Sequence, residues 1–432
     1  MPCRVRAENN APLWIWFLAV ASLFIGATAC SRSEAGPSRG LNGQLASLPY
    51  LAETEVAAAD RGKLGVTVTS PRAEKAGLNV YCSERNRYFS LLDMAGKVAR
   101  RVKLPGFCWL VEPFGDEFLV LHRPRRSSAA DLSRIRSDGS VAWTTPGPMH
   151  HDVTIQDDRT VVALAQQRGT LRYKDRDLPV INDEIWTVDL ESGAIRAKLP
   201  LAPLLEPLVL PSSLDALHRD AREGFNKHSN TSDLYHTNSI QVLPHDTEFA
   251  RKGDYLLSSR HLDLVFVVAA DGSSLRWSWG RGELEAPHHP TLQPDGTILL
   301  FDNGAHTPFR GQNRGYSRVL RVSPPSGDIV WRYEHPRPPV FFSETRGSAQ
   351  TLSNGNILVA ESDRGRWFEV TPDGVLAWEF WTRDSRKEEA DGTFMRATTY
   401  RVLRLPVDDP PGENPALVAG RDTARTAAPV AR

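Results

Sequence analysis

Cysteine is scarce in this chain of 432 residues: four residues, Cys3, Cys30, Cys82 and Cys108. Two of them fall in the N-terminal segment, so the rest of the chain carries either one disulfide, Cys82 to Cys108, or two buried thiols. An unstrained bridge there would stabilise by about 3 kcal/mol. Net charge is missing as well, because Lys plus Arg and Asp plus Glu each number 52. No long-range field is available to gather nucleic acid or a polyanionic surface, and any anion must be recognised locally. What is plentiful is turn-forming and aromatic: 31 Gly, 31 Pro and 11 Trp beside 41% apolar residues suit many short strands better than long helices.

The one long apolar run, 13–25, follows Arg4 and Arg6 and precedes Ala27-Thr28-Ala29-Cys30. This pattern reads as an export signal over 1–29 with cleavage before Cys30, and it resembles a bacterial lipoprotein signal whose cysteine becomes lipidated, with Ala27 where Leu is more usual. The expected location is periplasmic or cell-envelope, anchored to the membrane. Residues 30–59 read as a lipidated tether, 60–405 as the folded domain, and 406–432, rich in Pro, Ala and Arg, as a disordered tail.

Within the folded domain a unit repeats: strand, turn, strand, strand, Gly turn, strand. The last turn and strand recur as SDGSVAWTTP, ESGAIRAKLP, ADGSSLRWSWG, PSGDIVWRYEHP and PDGVLAWEFW, and the strand before as EIWTVDL, LVFVVAA, RVLRVSP and RWFEVTP. Units at 60–105, 106–147, 148–200, 232–281, 284–335 and 345–381 predict an all-β fold, a six-bladed β-propeller of four-stranded blades. Strands this short bury both faces only by packing blade on blade. The segment ATTYRVLRLPV is expected to close the ring onto the first blade. Residues 201–231 break the period and predict a short helix or lid over one end of the channel. The Trp set is expected to pack between blades.

The first strand of each unit carries the chemistry. Counting seven residues back from Asp116, Asp158, Asp295 and Asn354 gives Trp109, His151, His288 and Gly347, and His236 opens the related stretch HTNSIQVLP. Equivalent positions in a cyclic repeat converge, so three imidazoles are expected in one pocket. Asn238 shares a strand face with His236, and Arg260 in LLSSRHLD adds a permanent positive charge at the same mouth. One guanidinium, one amide and neutral imidazoles suit a singly charged oxyanion such as a sulfate ester, with imidazole as nucleophile and its neighbours moving the phenolic proton. Zinc is the chemical rival for three histidines, but Arg260 would repel a cation. His150 and His289 are expected to face away by strand alternation, and His261, His306 and His335 to lie on the surface.

The stretches HHDVTIQDD, DLYHTNSIQVLP, LLSSRHLDLVFVV, APHHPTLQPDGTILLFDNG, SRVLRV, GSAQTLSNGNILVAES and GRWFEVTPDGVLAWEF, covering 148–381, resemble the bacterial arylsulfate sulfotransferase family. The resemblance implies a nucleotide-independent enzyme, without metal or other cofactor, that moves a sulfuryl group from an aryl sulfate donor to a phenolic acceptor by a ping-pong route through a sulfohistidine. It places the transient sulfurylation on His288, the sulfuryl oxygens on His236, Asn238 and Arg260, and proton transfer on His151. The chain departs from the family in lacking the N-terminal dimerisation domain of its longer members and in having His289 after His288. The alternatives are a non-catalytic envelope propeller binding a glycan or protein partner, and a quinone-cofactor dehydrogenase, whose eight blades and bound cation have no counterpart here.

Overall fold

The computed structural model describes residues 52–126, 128–223, 232–305, 307–309, 313–337, 340–387 and 392–406. The chain divides into Met1–Gly40 and Leu41–Arg432, and every described residue belongs to the second unit. The export segment, Cys30, most of the tether, His306 and the tail beyond Pro406 lie outside the described residues. Among those residues no helix is long and apolar enough to cross a membrane.

The described chain is nearly all β. Most of its strands group into antiparallel units of four, in the order leading strand, two middle strands and closing strand, each pairing with the next. In the fourth unit these are Thr237–Val242, Tyr255–Ser259, Leu264–Val268 and Leu275–Trp279; in the fifth, Pro287–Leu292, Ile298–Asp302, Arg318–Ser323 and Asp328–Tyr333. Middle strands such as LVFVV and ILLFD are buried at every residue, whereas the closing strands of these two units alternate. Burial on both faces requires a neighbour on each side, and the apolar clusters supply it. Each of six clusters spans two consecutive units, and the one built on Tyr81, Leu92, Leu358, Trp367, Trp378 and Val402 joins the last unit to the first.

Three departures from the expected units concern the chain ends and the second unit. Gly65–Thr69, expected in the first unit, pairs with Leu376–Trp381 of the last, while Leu403–Leu405, in the segment expected to close onto the first unit, does so as its leading strand, paired with Leu78–Cys82. Glu53–Glu55, expected within the tether, pairs with Phe394–Ala397. Val141–Ile155 is one continuous strand that closes the second unit and leads the third, so these two share a seven-stranded sheet. Cys82 and Cys108 form a disulfide that ties the first unit to the second.

Two sets of side chains hold consecutive units in register. On the closing strands, the indole N–H of Trp143, Trp277, Trp331 and Trp378 donates to the carbonyls of Leu190, Pro324, Pro372 and Met94, each in the next unit's last turn. Where the Trp is absent, Arg100 donates to the Ser137 carbonyl, and Leu199 lies over Gly272, where an added Cβ would collide with it. On the leading strands, Asp152 accepts from the Ile240 amide, Gln241 from Leu292, Gln293 from the Thr351 hydroxyl and Gln350 from the Arg404 amide. Arg401 donates to Asp152 and Glu112. Buried polar groups are thereby satisfied by the neighbouring unit, which fixes the register of strands too short to fix it themselves.

The insertion between the third and fourth units forms the helices Ala202–Leu205 and Pro211–Glu223. Leu205 and Leu217 enter the cluster between those units. The second helix is braced by the Tyr173 hydroxyl donating to Asp215 across 2.8 Å, at the tip of the long hairpin Thr160–Tyr173 and Arg176–Asp189.

Candidate active site

At the histidine level, the leading strands are irregular. Pairing slips beside Trp109, beside the 149–153 stretch, at Asn238 and at His289-Pro290. His151, His236 and His289 adopt positive φ, at 61°, 49° and 50°. A bulge adds a residue and re-aims side chains, and positive φ in a non-glycine residue is maintained only where the surroundings impose it. The consequence is visible at His150, which strand alternation turned away. Its ring instead meets the His151 ring edge-on, with centroids 3.6 Å apart, and also contacts Trp109 and His236.

His151 and His236 touch directly, Nε2 to Nε2, at 3.0 Å. His236 Nδ1 faces Asp233 Oδ2 at 2.6 Å, and the His236 backbone N–H donates to the other oxygen of the same carboxylate. Asp183 accepts the Thr237 amide at 2.7 Å, so two buried aspartates hold the start of this leading strand. His151 Nδ1 meets the Tyr400 hydroxyl at 2.7 Å. Burial pushes both imidazoles well below the ordinary histidine range, with further depression at His236 from Arg260 and at His151 from the neighbouring histidines and Arg346. Burial also raises the carboxyls of Asp183 and Asp233.

His288 is held differently. Its Nδ1 lies 2.8 Å from Asn303 Oδ1 and 3.1 Å from the Ala286 carbonyl. Asn303 donates its amide hydrogens to the Ser343 and Arg346 carbonyls, which leaves Oδ1 as an acceptor. Nδ1 therefore carries the proton, and Nε2 keeps its lone pair. That Nε2 is buried and, among the described residues, has no hydrogen-bond partner. Burial, aided by the positive charge of Arg260, lowers the His288 pKa to about 3, so the imidazole is neutral at ordinary pH.

The remaining predicted residues surround these two. Asn238 donates to the Pro287 carbonyl at 2.9 Å and accepts from Ser258, which couples its strand to the residue before His288. Arg260 donates to His261 Nε2 at 3.2 Å, and its charge acts on His236 and His288. His261, expected on the surface, is buried, because its Nδ1 donates to the Asp233 carbonyl at 2.5 Å and its Nε2 receives Arg260. His289 lines a separate cavity of about 620 Å³ together with Arg401, Gln241, Gln293 and Gln350. Gly347 lets its strand approach the fifth unit, since a Cβ there would lie 2.3 Å from the Phe301 ring.

Asp233, Asn303, Arg346 and Tyr400 were not singled out from sequence. Asn303 stands in the FDNG stretch, Tyr400 in the segment expected to close onto the first unit, and Asp233 opens the DLYHTNSIQVLP stretch three residues before His236, so all three were within reach; nothing in the local pattern marks Arg346. Asp233, His236 and His261 bring ligand atoms within 4.8 Å of one another. This is a different trio from His151, His236 and His288. Its atoms are engaged with each other and with Arg260, whose guanidinium disfavours a cation beside it.

A buried neutral imidazole with a lone pair that no described residue engages, under the positive charge of Arg260 and beside hydrogen-bonded histidines, has the chemical means for nucleophilic attack on an anionic donor. Residues 133–383 match the model of the arylsulfotransferase (ASST) family, and the chain belongs to that family. Curated proteins provide no match. Among solved structures, the chain is similar to a protein of unknown function from Bacteroides caccae, with 13% identity over 77% of this chain and 99% of that one, at a TM-score of 0.45. It is also similar to a streptogramin B lyase, with 14% identity over 82% and 96% of the two chains, at a TM-score of 0.43.

Proposed function

We propose that the six units close into a six-bladed propeller and that its histidine end transfers a sulfuryl group from an aryl sulfate to a phenol through His288. The observation that carries this reading is the His288 ring, with Nδ1–H fixed by Asn303 and Ala286 and the buried Nε2 lone pair engaged by none of the described residues. In the first half-reaction Nε2 attacks sulfur, the sulfur–aryloxide bond breaks, and the aryloxide leaves with the bonding electrons. The sulfurylated ring is cationic, and its Nδ1–H remains bonded to two acceptors that stabilise this charge. In the second half-reaction a phenolic oxygen attacks sulfur, the nitrogen–sulfur bond breaks, and the imidazole returns to its neutral form. Arg260 supplies fixed positive charge to the sulfuryl oxygens, with Arg346 as a second cation whose charge reaches His288. Asn238 orients the backbone carrying His288 through the Pro287 carbonyl. No step calls on a metal or nucleotide donor.

The N-terminal sequence supports a cell-envelope location through lipidated Cys30. His288→Asn should abolish transfer from a chromogenic aryl sulfate to phenol while thermal stability stays near that of the parent. Unchanged turnover in that variant would remove His288 from the reaction. Absence of donor cleavage by the folded parent across several aryl sulfates would favour a non-catalytic envelope scaffold.

A further inference from the structure

Four buried groups lie in one hydrogen-bonded line: Asp233 Oδ2 to His236 Nδ1 at 2.6 Å, His236 Nε2 to His151 Nε2 at 3.0 Å, His151 Nδ1 to the Tyr400 hydroxyl at 2.7 Å, and that hydroxyl to the Asn238 carbonyl at 3.1 Å. Each contact between two ring nitrogens, or between a ring nitrogen and an oxygen, holds one proton, and the final acceptor is a carbonyl that cannot donate. Two arrangements with both imidazoles neutral satisfy the line. In one, Asp233 is a carboxylate, His236 carries its proton on Nδ1, His151 carries its proton on Nε2, and Tyr400 donates to His151. In the other, Asp233 is a carboxylic acid, His236 is protonated on Nε2 and His151 on Nδ1, and Tyr400 donates to the Asn238 carbonyl. They differ by one proton.

We propose that Asp233, His236, His151 and Tyr400 form a proton relay that takes the phenolic proton from the acceptor at the Tyr400 hydroxyl and stores it on Asp233 until the next aryloxide leaves. This rests on the sulfotransfer reading above. As the acceptor oxygen bonds to sulfur, its O–H breaks and a new Tyr400 O–H forms. The former Tyr400 proton passes to His151 Nδ1, the His151 Nε2 proton to His236 Nε2, and the His236 Nδ1 proton to Asp233 Oδ2. The new Tyr400 O–H then points to the Asn238 carbonyl. Departure of the next aryloxide runs the same transfers in reverse, so no net proton is gained or lost over a cycle. Burial of all four residues favours the arrangement with the fewest charges, and it raises the Asp233 carboxyl while keeping both imidazoles neutral. Tyr400 touches the phenol and is catalytic in this scheme; Asp233 acts through His236.

The test uses the full-length protein and acceptors of graded acidity, from unsubstituted phenol to nitrophenols, with one aryl sulfate donor. Tyr400→Phe keeps the ring that packs against Trp109 and His151 but removes the hydroxyl. It should slow transfer to phenol by about a hundredfold, with a progressively smaller loss as the acceptor becomes more acidic, because an already ionised acceptor has no proton to surrender. Asp233→Asn, which preserves shape but cannot store the proton, should reproduce that dependence on acceptor acidity. A uniform loss across acceptors in both folded variants would assign them a structural role and overturn the relay, as would an undiminished rate. Failure of the parent protein to transfer to any acceptor would instead overturn the sulfotransfer reading, and the relay's role with it.

Discussion

His288 and Asn303 make the residue-scale case. An imidazole whose Nδ1–H is anchored by a carboxamide presents a single lone pair in a fixed direction, and its low pKa keeps that lone pair available. Because protonation would occur only near pH 3, nucleophilicity should not decline between pH 8 and about 5, and loss from this group should set in only toward pH 3. A single-turnover pH profile for donor cleavage checks this, and a decline centred near the ordinary histidine value would contradict it. Asn303→Ala removes the anchor and should lower the rate constant for sulfurylation on the order of a hundredfold through loss of alignment. Partial recovery in Asn303→Asp, measured in the same assay, would separate loss of the acceptor from loss of packing.

Among the elements, the leading strands show where sequence reasoning succeeded and stopped. The seven-residue offset from turn Asp or Asn to His151, His288 and Gly347 was legible because turn chemistry and strand length repeat. His150 was misplaced because strict alternation holds only for regular strands, and the bulges that break it arise from packing between units, which one strand's sequence does not encode. His261 was misread for another reason: its burial depends on the Asp233 carbonyl, contributed by a distant segment of the chain, together with its neighbour Arg260. The Trp residues were legible as packing groups, whereas their donation to the next unit's turn became apparent only with the strands in register. Two substitutions probe these contacts by thermal or chemical unfolding. Gly347→Ala should destabilise by about 1–3 kcal/mol, because the new methyl group meets the Phe301 ring. Trp331→Phe should cost about 1 kcal/mol or somewhat more, for a lost hydrogen bond to Pro372 and reduced packing.

For the whole molecule, the joints run from each unit to the next and from the last to the first, and both chain ends contribute. Gly65–Thr69 completes the last sheet and Leu403–Leu405 the first; the second pairing is expected from the sequence, whereas the first is not, because the repeat places Gly65–Thr69 in the first unit. Reducing the Cys82–Cys108 bridge should therefore weaken the whole fold, by about 3 kcal/mol, and not merely loosen one hairpin; unfolding with and without reductant measures it. Acid should weaken it as well. His261, His288 and His289 have folded pKa values near 3 against an ordinary 6.5, so the unfolded chain binds more protons between those values. Their stabilisation is fully present above about pH 6.5 and is lost as the pH falls toward 3. The buried carboxyls of Asp183 and Asp233 act in the opposite sense, because their raised pKa values favour proton uptake by the folded chain. With His122, His150, His151 and His236 added there are seven depressed histidines, against six raised carboxyls once Glu112, Asp131, Asp152 and Asp302 are added, so the net expectation is a modestly falling unfolding midpoint from pH 7 to 4, followed by chemical denaturation at each pH.

The central claim is that His288 Nε2 carries the sulfuryl group, and mass spectrometry of the protein tests it most directly. The full-length protein, exposed to an aryl sulfate without acceptor, should gain one SO3 group, map it to the peptide containing His288, and lose it when a phenol is added. A folded protein that releases aryloxide without gaining that group, or that gains it on another residue, would contradict the account.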